Sequence, residues 1–599
     1  MTDYKAPLRD IRFAINEVLG YQEHYAELTG GEDANAEMVD AILEAFAKYC
    51  EQVAAPLNRS GDEEGCRWHN REVFTPAGFI EAYQQYTKAG WPSVSGDSNF
   101  GGQALPSSLS RILGGMLTAA NTGLALYTSA QSGAIDTLAS HGTQPQRDLY
   151  ERRLIDGSWN ATMCLTEPHC GTDLGLLRTK AETNSDGSYA ISGTKIFITG
   201  GEHDLTENIV HIVLARLPDA PAGSKGISLF IVPKFLSDSA GKLGQRNPVF
   251  CGSVENKMGI KASATCVMNF EAATGYLLGE PNRGLMAMFT FMNASRIAAS
   301  LQGEAHAELG FQKSLAYSRE RLQMRSLSGV KNPTGPADPI IAHPDVRRML
   351  LTQKAFAEGS RLLNCYLAQQ QDLLELSSNP ASRKEASALL DFLTPIAKAF
   401  VTETGFESAN LGLQCFGGHG YIREWGMEQN LRDARIATLY EGTTGIQALD
   451  LLQRKVVGSQ GKIVNIFCRQ IELFCRSKNN SQALQPLLSQ LESLSSEWQA
   501  ITQTIIEKSK ANPDEIGAAS VNYLMYSGYI CLAFFWTKAA AVAQQHLDAG
   551  TPEPDFYRAK LSTAKFYFDH LLPRTRACLA SIEAGADSMM SLEQDHFQF

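Results

Sequence analysis

The chain of 599 residues is 44% apolar and 20% charged, the composition of a soluble globular protein with about three or four domains. Its net charge of −11 excludes a general binder of nucleic acid or anionic membranes, which would need a basic face. Twelve cysteines include no CxxC pair and no His/Cys cluster at ligand spacing, so no metal site is expected, and the usage fits a reducing compartment.

The opening residues, "MTDYKAPLRDIRFAINEVLG", lack the basic start and apolar middle of a signal peptide, and the expected location is cytoplasmic. They begin an N-terminal arm, 1–36. From 37 to 160 apolar residues recur at helical spacing, as in "MVDAILEAFAKYC" and "SLSRILGGMLTAANTGLAL". The texture changes over 161–283, where "SYAISGTKIFITGG", "NIVHIVLARL" and "GISLFIVPKF" are short β-rich runs between turn residues. That pattern predicts an antiparallel barrel or sandwich. Helical periodicity returns over 284–457, starting with a breaker-free run, "GLMAMFTFMNASRIAASLQGEAHAELGFQKSLAYSRERLQ", that reads as one long helix. A further block, 458–599, reads as wholly helical. Its most apolar stretch, 523–543, holds Ser527, Gly528 and Lys538 and reads as a buried helix, with no membrane span. The fold class is multidomain α+β, without the βα alternation or the GxGxxG of a Rossmann chain.

Three stretches carry chemistry. "MCLTEPHCGTDLG" (163–175) gathers hydroxyls and glycine in a tight loop, suited to the polar edge of a planar ring, to a phosphate, or simply to a strand–turn–strand corner. In "GTKIFITGG" (193–201), Phe197 and Thr199 alternate along a strand and share a face. They could cover a flat heterocycle, or be core strand and turn. In "LQCFGGHGYIREWGMEQNLRDARIATLYEGTTGIQ" (413–447), Gly417, Gly418 and Gly420 allow close approach of a diphosphate, or merely stop a helix. His419 reads as a surface-loop imidazole, and Glu441 as a loop carboxylate or a base.

In order and spacing these pieces resemble the acyl-CoA dehydrogenases, flavoenzymes that desaturate acyl-CoA thioesters between Cα and Cβ. The resemblance covers about 40–457 and implies an N-terminal helical domain, a middle antiparallel β domain and a C-terminal helical bundle. It implies FAD as cofactor. Leu165 and Thr166 match positions that hold the flavin's pyrimidine edge. Gly171 and Thr172 match a Gly-Ser pair at the flavin phosphate, with Thr172 near the CoA entrance. Phe197 stands where a Trp is usual, and Thr199 matches the hydroxyl on flavin N5. Arg296 matches an arginine near CoA. Arg321, Gln414, Gly417 and Gly418 match residues that meet a neighbouring subunit's FAD, and Thr443 a flavin-phosphate contact. Glu441 falls on the catalytic base and, with Gly442, on the substrate thioester. Some relatives carry the base on the long helix, one or two residues before Arg296, but this chain has Ala294 and Ser295 there.

The mechanism so implied needs a glutamate stronger than an exposed one, whose pKa is about 4.3. Burial against acyl chain and flavin is expected to raise it. The β-hydride then passes to flavin N5.

The arm, the "KNPTGPADPIIAHP" loop and the 458–599 block resemble the long bacterial subgroup, which includes long-chain acyl-CoA and 3-(methylthio)propanoyl-CoA dehydrogenases. One branch of the family instead uses a C-terminal extension to bind DNA. Here 458–599 holds 12 Lys/Arg against 14 Asp/Glu, so it lacks the basic surface such a role requires. The block is expected to pack on the catalytic core or a second subunit, giving a homodimer. The expected electron acceptor is an electron-transferring flavoprotein. Gly114 and Gly115 leave two readings open: room for an acyl tail, or close helix packing. Medium- or long-chain acyl-CoA is the expected substrate.

Overall fold

The computed structural model describes residues 4–478 and 481–599. Among these, 4–6 and 37–298 form one compact unit, and 7–36 and 299–599 another.

The first unit begins with helices, including Ala36–Tyr49, Ser107–Ala120 and Thr122–His141. A hairpin interrupts this region: β1 (Arg67–His69) pairs antiparallel with β2 (Glu72–Phe74). Asn70 and Arg71 turn it with φ +50° and +69°. The helical reading of 37–160 overlooks this hairpin because its turn carries no glycine, the usual sequence signal.

The main sheet contains β3 (Trp159–Cys164), β4 (Lys180–Thr183), β5 (Tyr189–Thr199), β6 (Asn208–Arg216) and β7 (Ile227–Pro233). A separate small pair, β8 (Phe235–Ser237) and β9 (Leu243–Arg246), follows, and β10 (Val249–Val254) and β11 (Thr265–Leu278) complete the main sheet. Its order is β10-β11-β5-β4-β6-β3, and β7 pairs with both β6 and β11, so five strands close on themselves and hide their edges. Most pairs are antiparallel as expected, but β3 runs parallel to β6, from Trp159↔Asn208 to Cys164↔Val213. The β4–β5 hairpin lies between them in sequence and provides the long crossover that parallel pairing needs. Trp159, Ile212, Leu229 and Ile231 on the strands bury against Leu138 and Leu154 of the preceding helices and against Phe291. Phe291 belongs to the helix Gly284–Glu320, which runs 37 residues without a break.

The second unit is helical: Pro344–Leu376, Pro380–Ile396, Thr402–Cys415, Met427–Arg435 and Thr444–Leu449 lead into the extension. The extension helices are Lys462–Lys478, Gln485–Ala511, Asp514–Asp548, Pro554–Phe566 and Thr575–Glu583. Among the described residues, Asp514–Asp548 alone is long and apolar enough to cross a membrane, yet 78% of its apolar window is buried in protein. Trp536 Nε1 donates to the Ala355 carbonyl over 3.1 Å. A Cβ on Gly528 would lie 2.2 Å from the Phe400 ring, so only glycine admits that ring. The extension therefore packs on the bundle.

A buried charge network ties arm, bundle and extension together. Arg361, 5% exposed, bonds Asp10 of the arm as well as Glu304 and Glu308 of the long helix. Lys560 of the extension bonds Asp10 and, at 2.9 Å, Glu358. Burial acts to raise the Asp10 carboxyl, but Lys560 and Arg361 outweigh it and hold the group well below its usual range.

Candidate functional site

In the first unit, β3 ends at Cys164 and the chain turns tightly, with Glu167 N–H to Cys170 O at 2.9 Å and the return bond at 3.1 Å. Beneath the turn Lys195, wholly buried, donates to Leu165 O at 2.9 Å and to Glu167 Oε1 at 2.8 Å. The Arg178 and Thr179 backbone N–H groups also donate to Glu167. Burial alone would raise the Glu167 carboxyl, but the Lys195 charge and these bonds hold it below its usual range. Glu167, His169 and Cys170 bring potential metal-ligand atoms within 4.8 Å of one another. Both Glu167 oxygens are already engaged, so the carboxylate serves the loop.

The loop meets β5 through Ile196 N–H to Thr166 O at 2.9 Å. There the β5–β11 register slips between Lys195↔Met268 and Ile198↔Cys266, a β-bulge with Phe197 at φ +61°. The left-handed backbone costs roughly 1–2 kcal/mol at a non-glycine residue. It turns Phe197 outward, 59% exposed, while Ile198 is buried and Thr199 half-buried. Phe197 and Thr199 thus keep a common open side through a bulge, rather than by plain alternation. The hydroxyls of Thr166, Thr172 and Thr199 make no side-chain hydrogen bond within the protein among the described residues. Gly171 and Thr172 are exposed at the same loop.

In the second unit the helix Thr402–Cys415 ends in a 3₁₀ turn, Gly417–Tyr421. Gly417 (φ +57°) and Gly418 are exposed, and a Cβ on either would meet nothing within 4 Å. Gly420 differs: a Cβ there would sit 2.3 Å from Leu413 O, so this glycine closes the turn. Tyr317 stacks on Phe416 at 4.1 Å and bonds His419 Nδ1 at 2.9 Å, while His419 stacks on Trp425 at 4.5 Å. His419 is scaffold for the turn. Arg321, one turn beyond Tyr317, is exposed, as is Gln414. The structure thereby brings Arg321, Gln414, Gly417 and Gly418 to one end of the long helix.

Glu441 is half-buried with φ +56°, followed by Gly442 at φ +89°. Both neighbouring carbonyls are tethered. Gln447 Nε2 donates to Glu441 O at 2.9 Å, and Lys398 Nζ to Gly442 O at 2.6 Å. Tyr440 donates to Gln302, and burial holds its phenol well above the usual range, so it stays a neutral donor. Thr443 caps the next helix through Ile446 N–H at 3.3 Å, and Thr444 bonds Glu403.

On the long helix Arg296 and Ala294 are each 7% exposed, with Ser295 half-buried between them. A Cβ on Gly114 would meet no atom within 4 Å, so close helix packing does not account for that glycine.

Sequence reasoning missed Lys195, Lys398 and Gln447. Each is wholly buried, and its role rests on a contact distant in the chain or hidden within a helix. The available signal was a lone lysine in an apolar run, "TPIAKAFVT" (394–402), and another in "GTKIFIT".

Comparison with known proteins agrees along the chain. Residues 162–273 match "Acyl-CoA dehydrogenase, middle domain", 282–456 "Acyl-CoA dehydrogenase, C-terminal domain" and 467–593 "Acetyl-CoA dehydrogenase C-terminal like". The chain is 40% identical to 3-methylmercaptopropionyl-CoA dehydrogenase of Ruegeria pomeroyi, covering 98% of this chain and 99% of that one. It is 34% identical to the broad-specificity linear acyl-CoA dehydrogenase FadE5 of Mycobacterium tuberculosis over the full length of both. Among solved structures, Caenorhabditis elegans ACDH-11 in complex with C11-CoA shares the fold with TM-score 0.76 at 19% identity, covering 98% of this chain and 97% of that one. The chain belongs to the acyl-CoA dehydrogenase family, whose members are FAD-dependent oxidoreductases.

Proposed function

We propose that this protein desaturates a straight-chain acyl-CoA of medium or long chain between Cα and Cβ, yielding the trans-2-enoyl-CoA of fatty acid β-oxidation, with Glu441 as the base. The observation that carries this assignment is the tethered left-handed turn at Glu441–Gly442, which fixes a half-buried carboxylate where regular structure would not place one. Glu441 takes the α-proton at a carboxylate oxygen. FAD supplies the acceptor for the β-hydride when bound.

The residues present fit that cofactor. The hydroxyls of Thr166, Thr172 and Thr199, which make no side-chain hydrogen bond among the described residues, and the outward Phe197 suit a flat polar ring and its phosphate. Leu165 and Gly171 complete that loop, and Thr443 would meet phosphate. The open Gly417 and Gly418 with Gln414 and Arg321 suit a diphosphate brought by a second copy of the chain, which supports a homodimer. Arg296 is assigned to CoA, and an electron-transferring flavoprotein is the proposed acceptor.

A second substrate, 3-(methylthio)propanoyl-CoA, is favoured by the 40% full-length identity to a dehydrogenase named for it. Its sulfur replaces a methylene of a pentanoyl chain, so one pocket can take both shapes. The test is a kinetic panel of straight acyl-CoAs of increasing length, with 3-(methylthio)propanoyl-CoA and an artificial acceptor. A maximum among the longer chains supports the first substrate. A maximum on 3-(methylthio)propanoyl-CoA supports the second, and no turnover on any of them overturns both.

A further inference from the structure

Glu441 stands on a backbone that side chains elsewhere in the same unit must hold. Two successive left-handed residues, φ +56° and +89°, are not a conformation that an alanine-like chain keeps by itself. The peptide after Glu441 is held by Gln447, and the peptide after Gly442 by Lys398. Both side chains are 0% exposed.

Their reach comes from different elements. Gln447 lies in the short helix Thr444–Leu449 that follows the turn, and its amide fills the space beside Gly442, where a Cβ would come within 2.4 Å of Nε2. Lys398 comes from the far side in sequence. Its helix, Pro380–Ile396, contains Pro395, which has no N–H to donate, and passes into a wider π turn, Ala397–Val401, that carries Lys398. Burying a lysine in the run "IAKAFV" is costly unless its ammonium is engaged. Here it is engaged on the carbonyl one residue beyond the proposed base.

We infer that Lys398 and Gln447 are positioning residues for the desaturation: they pin the two peptides after Glu441 and so fix the direction of its carboxylate. This rests on the reading of Glu441 as the base. Through these bonds both residues act on the backbone of the turn. Their loss therefore misaims proton abstraction while substrate binding and flavin content persist.

The experiment uses purified full-length holoenzyme with Lys398→Met, Gln447→Met and Glu441→Gln in parallel. Anaerobic stopped-flow follows flavin bleaching against acyl-CoA concentration, beside flavin content and melting temperature. Lys398→Met and Gln447→Met are expected to lower the limiting bleaching rate about ten- to a hundredfold, with half-saturation and flavin content near those of the unsubstituted enzyme. Unchanged limiting rates in both variants overturn the inference. If Lys398→Met fails to fold or loses flavin, Gln447→Met decides: a lowered limiting rate supports the inference and an unchanged one overturns it. Normal bleaching by Glu441→Gln places the failure in the reading of the base, and the inference falls with it.

Discussion

Lys195 Nζ lies 2.8 Å from Glu167 Oε1, an ion pair closed off from solvent at the base of the loop that carries Thr166 and Gly171. The same ammonium holds the Leu165 carbonyl at 2.9 Å, so one buried cation fixes the root of the proposed flavin loop from inside. Lys195→Met leaves the Glu167 carboxylate buried without its counter-charge. The expected cost is about 3–5 kcal/mol of stability, with loss of flavin on purification. Urea denaturation and the flavin-to-protein absorbance ratio measure the two effects. A stable variant with full flavin content would show that the pair does not support the loop.

Gly442 is constrained twice, by φ +89° and by the Gln447 amide. Gly442→Ala is expected to cost about 1–2 kcal/mol from the backbone alone. Displacement of Gln447 adds to that and lowers turnover more than it lowers the apparent affinity for acyl-CoA. Steady-state kinetics beside a thermal melt separates the two contributions.

The glycine turn and the stretch around Glu441 are legible in the sequence because local residue types carry them. Gly417 and Gly418 announce open backbone, and "LYEGTT" places an acid at a turn. Other features depend on tertiary contact. Alternation predicts that Phe197 and Thr199 share a face, and they keep an open side in common, but it is the register slip opposite Met268 and Cys266 that turns Phe197 outward. The hairpin at 67–74 hides in a helical stretch because Asn70 and Arg71 turn it without a glycine. The buried network of Asp10, Arg361 and Lys560 joins residues hundreds of positions apart, and no periodicity foretells it.

Three buried histidines give stability a defined pH dependence. Burial depresses His203 and His211 to about 3, with Lys234 adding to both, and depresses His306 to about 4 against the bond that its ring donates to Asn430 Oδ1. An unfolded histidine takes a proton near pH 6.5, the native ones only far below it. Between these limits the unfolded chain binds more protons, so stability is full above about pH 6.5 and falls as the pH drops toward 4. Urea midpoints measured between pH 7.5 and 4.5, roughly that window, are expected to decline steadily below 6.5. Asp10, held low by Lys560 and Arg361, adds a loss of the same sign only in stronger acid. A midpoint independent of pH across the histidine window would contradict the buried, neutral assignment.

The central claim is that Glu441, on its tethered left-handed turn, removes the substrate α-proton. Glu441→Gln keeps the size and a hydrogen-bonding amide but removes the base. The direct measurement is anaerobic flavin bleaching of this variant with the best acyl-CoA of the kinetic panel. The variant should purify yellow, bind acyl-CoA and lose substrate-dependent bleaching by at least about a thousandfold. Bleaching at the rate of the unsubstituted enzyme would contradict the account.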